Sequence, residues 1–293
     1  MLTVRAPATS ANLGSGFDVF GLALGAPADV VRVERAEETT IEMSGAGSQY
    51  IPEDPTQNTA GVVAAELDAP ARICIDKGVR PASGLGSSAA SAAAAAVALN
   101  ELYDRGHSRE ELVHIAAEGE AVVSGAAHAD NVAPSILGGF TIARDDGVTQ
   151  IDASLPLVAC LPDLVVSTRD ARRVVPETVS MDDVVDTVGS AATLTAGMCR
   201  DDPALVGRGL EEAVVTPARA KLITGYEAAT TAAREAGATG ATVSGAGPGV
   251  LAVCRSPDDR RQVASAMLAA FDDHGVDARA YQTVVGEGAR IYR

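Results

Sequence analysis

Residues 80–102 read RPASGLGSSAASAAAAAVALNEL, a loop of small residues running straight into a helix whose first three turns are mostly alanine. The first turn of a helix leaves backbone N–H groups without helical partners, and its dipole favours an anion there. Glycines let a backbone approach a phosphate closely, and serines add hydroxyl donors. Gly84, Leu85, Gly86, Ser87 and Ser88 therefore form a cradle for phosphate at the head of a helix expected over 88–103. Alanine side chains let that helix lie close against its neighbours and carry its N-terminus deep into the fold. An ordinary capped helix in an alanine-rich protein is the competing explanation. Gly84, Gly86 and Ala89 also satisfy G-x-G-x-x-A, the dinucleotide fingerprint. The spacing argues against it: VRPAS separates the preceding strand from the first glycine. The acidic ribose partner due at the end of a second strand has only Glu101 to fill it, at the far end of the same helix.

Outward from this stretch the chain alternates strands and helices without a short repeat. LTVRAPA is extended, TSANLGSGFD is a loop, DVVRVERA alternates as a strand, and ARICIDKGV (71–79) is another. A helix over 109–124 opens on a capping box of Ser108 and Glu111. SILGGFTIARDDGVTQI reads as a hairpin turning at Asp146–Gly147. Helices are expected at 181–200, 203–214, 219–236 and 257–274, with a last strand at 278–285. ATGATVSGAGPGVLAVCR reads as strand, glycine-rich turn, strand. The pattern is α+β, dividing near 145–155.

At 293 residues the chain has room for two domains or lobes, and 47% hydrophobic with 21% charged residues is a globular balance. Acidic residues outnumber basic ones 39 to 23, a net charge of −16, and Lys77 and Lys221 are the only lysines. Such a surface repels nucleic acid and anionic membrane, so neither is expected as a partner. With its abundant Ala and Gly the composition resembles proteins of salt-adapted, archaeal-like cytoplasms; a merely acidic protein is the plain alternative. Cys74, Cys160, Cys199 and Cys254 are far apart, so neither a metal site nor a disulfide framework is expected. Cys160 and Cys254 stand in apolar runs as small buried hydrophobes. The N-terminus has no signal-peptide pattern, and the most apolar run, 89–99, is about half a bilayer span. A soluble, cytoplasmic protein is expected.

On a helical wheel for 109–124, Glu120 falls among Leu112, Val113, Ala116, Gly119, Val122 and Val123, while Glu110, Glu111, His114 and Glu118 take the opposite face. A carboxylate on an apolar face needs a partner, a hydrogen-bond network or a metal.

Two further glycine-rich segments, PATSANLGSGFD near the start and TVSGAGPGVLAV at 242–253, join PASGLGSSAA in an order and spacing that resemble the GHMP small-molecule kinases. PASGLGSSAA is similar to that superfamily's phosphate loop, P-x-x-x-G-L-G-S-S-A, at nearly every position. The resemblance covers nearly the whole chain, least at 36–60 and 174–215. Within the superfamily, APATSANLGSGFDVFGLAL, HADNVAPSILGG (128–139), VSTRDAR (166–172) and TPARAKLITGY (216–226) most resemble the homoserine kinases. Mevalonate kinase relatives carry an aspartate base where this chain has Asn131.

The resemblance implies a two-lobed GHMP kinase fold with an N-terminal domain over 1–150, a C-terminal domain over 151–293, and ATP and substrate bound between the lobes. Pro81, Ser83 and the five loop residues would cradle the nucleotide with Gly245 and Gly247; Asn58 would contact it through a looser match. Ser88 and Glu120 would hold Mg²⁺, which takes few carboxylates beside phosphate and water oxygens. Asn12, Asp18, His128, Asp130, Asn131, Thr168, Arg172 and Arg219 would form a pocket for L-homoserine. The two arginines suit its carboxylate and Asp130 its ammonium, while Asn12, Asp18 and Asn131 suit its hydroxyl. Asp18, Asn131 and Arg172 are the expected catalytic residues; whether Asp18 accepts the proton stays open, since phosphoryl transfer rests mainly on positioning. Arg169 and Arg173 read as surface charge. A homodimer is implied by resemblance alone. Another GHMP kinase acting on mevalonate, shikimate or a sugar, and a catalytically silent nucleotide-sensing relative, remain the alternatives.

Overall fold

The computed structural model describes residues 1–124 and 129–292. The chain opens on β1 (Leu2–Ala11), returns antiparallel as β2 (Phe20–Arg35), and continues through β3 (Thr40–Gly45), α1 (Thr59–Glu66), β4 (Ala71–Lys77), α2 (Ser87–Tyr103), α3 (Arg109–Ser124) and α4 (Ala129–Leu137) to the hairpin β5 (Phe140–Arg144) and β6 (Gly147–Ile151). It then forms β7 (Pro156–Pro162), α5 (Thr168–Arg173), α6 (Met181–Met198), α7 (Pro203–Gly209), α8 (Val215–Ala220), α9 (Tyr226–Glu235), β8 (Ala238–Val243), β9 (Val250–Cys254), α10 (Arg260–Asp272), β10 (Ala278–Val284) and β11 (Arg290–Tyr292).

Among the described residues there are two sheets. The larger runs β11-β1-β2-β4-β3, with β5 also on β2 and β6 on β5; the smaller is antiparallel, in the order β10-β7-β9-β8. One face of the larger sheet is covered by α1 to α4 around a core of Val31, Ile73, Ile75, Leu99 and the alanines of α2. The smaller sheet packs α9 and α10 around Val250, Met267 and Phe271. The remaining faces meet each other: Leu22, Leu24 and Phe140 of the first sheet share a core with Leu157, Leu251 and Val253 of the second. Each sheet is thus buried on both faces where the two halves join, which is why β7 and β9 are continuous apolar runs, every residue buried and Cys160 and Cys254 among them.

The alanine run now has its reason. Residues 89–99 of α2 are buried on every side, against β1 and β2 below and α1, α3 and α4 around. Small side chains let neighbours approach a helix that closely, with Val97 and Leu99 filling the wider space near its end, and alanine is also the best helix former.

Several boundaries differ from the sequence reading. The helices expected at 203–214 and 219–236 are three shorter ones. The Glu212 carboxylate accepts the N–H groups of Val214, Val215 and Thr216 and so starts α8 afresh. Gly225, at a left-handed φ of 84°, starts α9. The hairpin turns at Asp145–Asp146, with Arg144 facing Gly147, rather than at Asp146–Gly147. Residues 135–137, read as the start of the hairpin segment SILGGFTIARDDGVTQI, instead end α4, which carries Pro134 in its interior. The capping box of Ser108 and Glu111 forms, its hydroxyl accepting the Glu111 N–H at 3.2 Å.

Candidate active site

A cavity of about 370 Å³ lies where the two halves of the chain meet. Every residue nominated from the sequence lines it except two: Leu85, and His128, which lies outside the described residues.

The phosphate loop bends at two glycines in the left-handed region, Gly84 at φ 76° and Gly86 at φ 61°. A Cβ on Gly86 would stand 2.0 Å from the Thr9 hydroxyl oxygen, and one on Gly84 would stand 2.5 Å from the Ser244 carbonyl oxygen. The loop is therefore gripped from both halves. On the first side, Thr9 donates its hydroxyl to Asn131 Oδ1 at 2.8 Å, and its N–H to the Leu85 carbonyl at 3.1 Å. On the second, Ser244 donates to the Gly84 carbonyl at 2.7 Å, and the Gly249 N–H reaches the Ser83 carbonyl at 3.0 Å. Leu85 points its side chain into the core between the sheets, and its N–H donates to Ser83 Oγ at 3.3 Å, so it shapes the loop without facing the cavity. Asn58 lines the cavity, but as the N-cap of α1: its Oδ1 accepts the Ala60 N–H at 3.0 Å and its Nδ2 donates to the Pro52 carbonyl at 2.7 Å.

At the head of α2 the Ser88 hydroxyl donates to Glu120 Oε2 at 3.0 Å. Glu120 is buried, as its place on the α3 wheel requires, and burial pushes its carboxyl up to about 7 against the opposing pull of Ser88 and Lys77. A hydroxyl and a carboxylate open to a cavity are an oxygen-only pair of the kind a hard divalent cation takes.

Beneath the loop lies a feature the sequence reading missed. Lys77, one of only two lysines, is buried at the end of β4 and pairs with the buried Asp29 of β2. Its ammonium donates further to the Ser87 carbonyl at 2.6 Å and to Ser91 Oγ at 2.9 Å, three acceptors for three donors. Asp29 also accepts the N–H groups of Gly78 and Val79, each at 3.0 Å, and the Ser91 hydroxyl at 2.8 Å. Desolvation pulls the Lys77 pKa down and Asp29 holds it up. A signal was present: in β4 the buried positions alternate through Ala71, Ile73 and Ile75, and Lys77 continues the inward series.

The far end of the cavity is built by the β1–β2 loop, α5 and α8. Asn12 Oδ1 accepts the Asp18 N–H at 2.9 Å, and its Nδ2 donates to the Gly245 carbonyl at 3.1 Å. Arg219, only 4% exposed, donates to that same carbonyl at 2.7 Å and to the Ala171 carbonyl at 3.3 Å. Burial, and after it the neighbouring Arg172, push the Arg219 pKa below its ordinary value. Arg172 grips Asp18 through two hydrogen bonds of 2.6 and 3.1 Å. Asp130 is buried in the first turn of α4, with Asn131 Nδ2 3.4 Å from its carboxylate, and Thr168 begins α5 at the rim. Arg169 and Arg173 are exposed, the latter 3.5 Å from Asp170, as read from the sequence.

One end of the cavity thus offers backbone dipoles and hydroxyls to an anion, beside an oxygen pair for a cation. The other offers two guanidinium groups and a buried carboxylate, suited to a small molecule carrying both charges.

Known proteins resemble the chain over its whole length. The chain matches the GHMP kinases N terminal domain over residues 56–139 and the GHMP kinases C terminal domain over 194–273. It is 74% identical over 292 residues to the homoserine kinase of Haloarcula marismortui, with 100% of each chain covered, and 49% identical to that of Methanocella arvoryzae, with 99% of this chain and 97% of the other covered. The crystal structure of homoserine kinase from Cytophaga hutchinsonii superposes with a TM-score of 0.91 at 34% identity, covering 99% of this chain and 97% of that one. L. major mevalonate kinase in complex with R-mevalonate superposes with a TM-score of 0.78 at 18% identity, over 97% and 95%, a likeness of fold alone.

Proposed function

The chain belongs to the GHMP kinases, and within them to the homoserine kinases, and from that premise we propose that it transfers the γ-phosphoryl group of ATP to the hydroxyl of L-homoserine, giving O-phospho-L-homoserine on the route to threonine. The observation that carries the reading is the single cavity that joins a glycine loop at a helix N-terminus to a pair of arginines and a buried aspartate.

The roles follow from chemistry and position. Backbone N–H groups of the loop at the head of α2, from Gly86 to Ser88, are suited to the phosphates, and the dipole of α2 adds to them. The donor set of Ser88 and Glu120 fits Mg²⁺, one carboxylate and one hydroxyl leaving the remaining positions to phosphate and water oxygens. Bound there with ATP, the ion would neutralise charge on the phosphate oxygens. Arg219 and Arg172 take the substrate carboxylate, and Asp130 takes the ammonium. Asp18, Asn12 and Asn131 turn the hydroxyl toward the γ-phosphorus. No strong base is needed, because bond-making to the incoming oxygen is slight in a loose transition state. Asp18, already engaged by Arg172, is suited to orienting that hydroxyl and receiving its proton late.

The same reading places the enzyme in the cytoplasm, divides the chain into domains over 1–150 and 151–293, and makes it a homodimer, which light scattering in high KCl tests. The activity is tested by coupled ADP release in molar KCl, comparing L-homoserine with mevalonate, shikimate and galactose. Homoserine should react far faster than the others; equal rates for homoserine and mevalonate would overturn the assignment.

A further inference from the structure

Phe17 lies in the β1–β2 loop, between Asn12 and Asp18 in the chain, and its ring meets both arginines. Its ring lies under both guanidinium groups, 5.2 Å from Arg172 Cζ and 5.0 Å from Arg219 Cζ. We propose that Phe17 is a specificity-determining positioning residue, whose ring holds two like-charged guanidinium groups together so that they bind the substrate's carboxylate as one site. The inference rests on the proposed homoserine kinase activity and deepens it.

Two guanidinium groups brought close repel each other, and the effect is felt at Arg219, where burial and Arg172 both disfavour the charged form. The face of an aromatic ring carries negative quadrupolar charge and attracts a cation within about 6 Å of its centre. One ring serving two cations offsets part of their repulsion without neutralising them, as a carboxylate would. A ring accepts the charge without occupying the N–H donors, which leaves them for an anion.

The ring is held where this demands. The Asn12 N–H donates to the Phe20 carbonyl at 2.7 Å, and the Gly16 N–H to the Asn12 carbonyl at 2.9 Å, so the loop closes tightly on itself. Ser15 Oγ donates to the Gly209 carbonyl at 2.7 Å, which ties the loop to the end of α7 in the other half of the chain. The residue after Phe17 is Asp18, which accepts two hydrogen bonds from the same Arg172 that lies over the ring. Phe17 is half-buried, so its place is not explained by core packing.

The test compares wild type with Phe17→Leu and Phe17→Tyr on two substrates, L-homoserine and its analogue with the carboxylate reduced to an alcohol, 2-amino-1,4-butanediol. For Phe17→Leu the KM for homoserine should rise about tenfold, the scale of two cation–π contacts, with kcat and the KM for ATP within about twofold. The preference for homoserine over the aminodiol should fall by a similar factor. Phe17→Tyr, which keeps the ring, should retain both. An unchanged preference in Phe17→Leu, an equal rise in the KM for ATP, or a Tyr variant as impaired as Leu would each overturn the proposal. A wild-type enzyme that phosphorylates neither compound would instead remove the functional reading, and this inference with it.

Discussion

Asp18 and Arg172 stand 154 residues apart and meet through two hydrogen bonds, 2.6 and 3.1 Å long, that tie the β1–β2 loop to α5 across the cavity. A planar guanidinium gripping a carboxylate by two parallel donors fixes both side chains in orientation as well as distance. The pair is about a third exposed, so its worth lies in geometry rather than in stability.

Arg172→Ala should therefore leave the melting temperature nearly unchanged and raise the KM for homoserine by about 10- to 100-fold, the loss of a charged hydrogen-bonded pair. Arg172→Lys should recover little of it, because an ammonium cannot copy the fork. Initial rates at saturating ATP measure this; a wild-type KM in Arg172→Ala would place the carboxylate elsewhere.

Glu120 titrates at about 7 when folded and at about 4.5 as an ordinary glutamate. Between those values the folded chain binds more protons than the unfolded one, so stability falls as pH rises from about 4.5 to about 7 and is level above. The whole effect is of order 3 kcal/mol at most. Denaturant unfolding of the metal- and nucleotide-free protein across this range should show the fall in wild type and lose it in Glu120→Gln. The same variant should lower turnover by about 100-fold or more; full activity would make Glu120 purely structural.

Removing one partner of the buried Lys77–Asp29 pair strands the other charge. Lys77→Met and Asp29→Asn should each cost about 3–5 kcal/mol. The double variant should cost clearly less than their sum, because both charges then leave together. Urea unfolding in high KCl measures the cycle, and strict additivity would mean the two residues are not coupled.

Acidic residues exceed basic ones by 39 to 23. Their repulsion reaches about 30 Å at 0.01 M salt and about 3 Å at 1 M. The melting temperature, taken without ATP from about 0.05 M to about 3 M KCl, should climb throughout as that self-repulsion is screened. A flat curve would make the acidic composition incidental.

How much of this was legible varies by element. The phosphate loop and α2 were readable because their signals are local: glycines, serines and alanines in one stretch determine a turn, a helix start and a thin helix. Glu120 was readable because a helix repeats every 3.6 residues, and one carboxylate fell on the apolar face. Glu212, which starts α8 with its own side chain, was not, since capping by a glutamate looks in sequence like any surface acid. Nor was α4, whose last turn was read as the start of the hairpin and which carries a proline in its interior.

Local and periodic signals in the sequence determined an α+β pattern, the glycine–serine loop at the head of α2 and the inward Glu120, while resemblance to the GHMP kinases pointed to the two-lobed fold and to most of the other nominated residues that line the cavity. Only the tertiary structure decided that Asp29 lies against Lys77, that Thr9 and Ser244 close on the loop from opposite halves, and that Phe17 lies under two arginines. Those contacts join residues tens to hundreds of positions apart. They depend on strand register and on how two sheets meet face to face, and neither leaves a periodic trace in the chain.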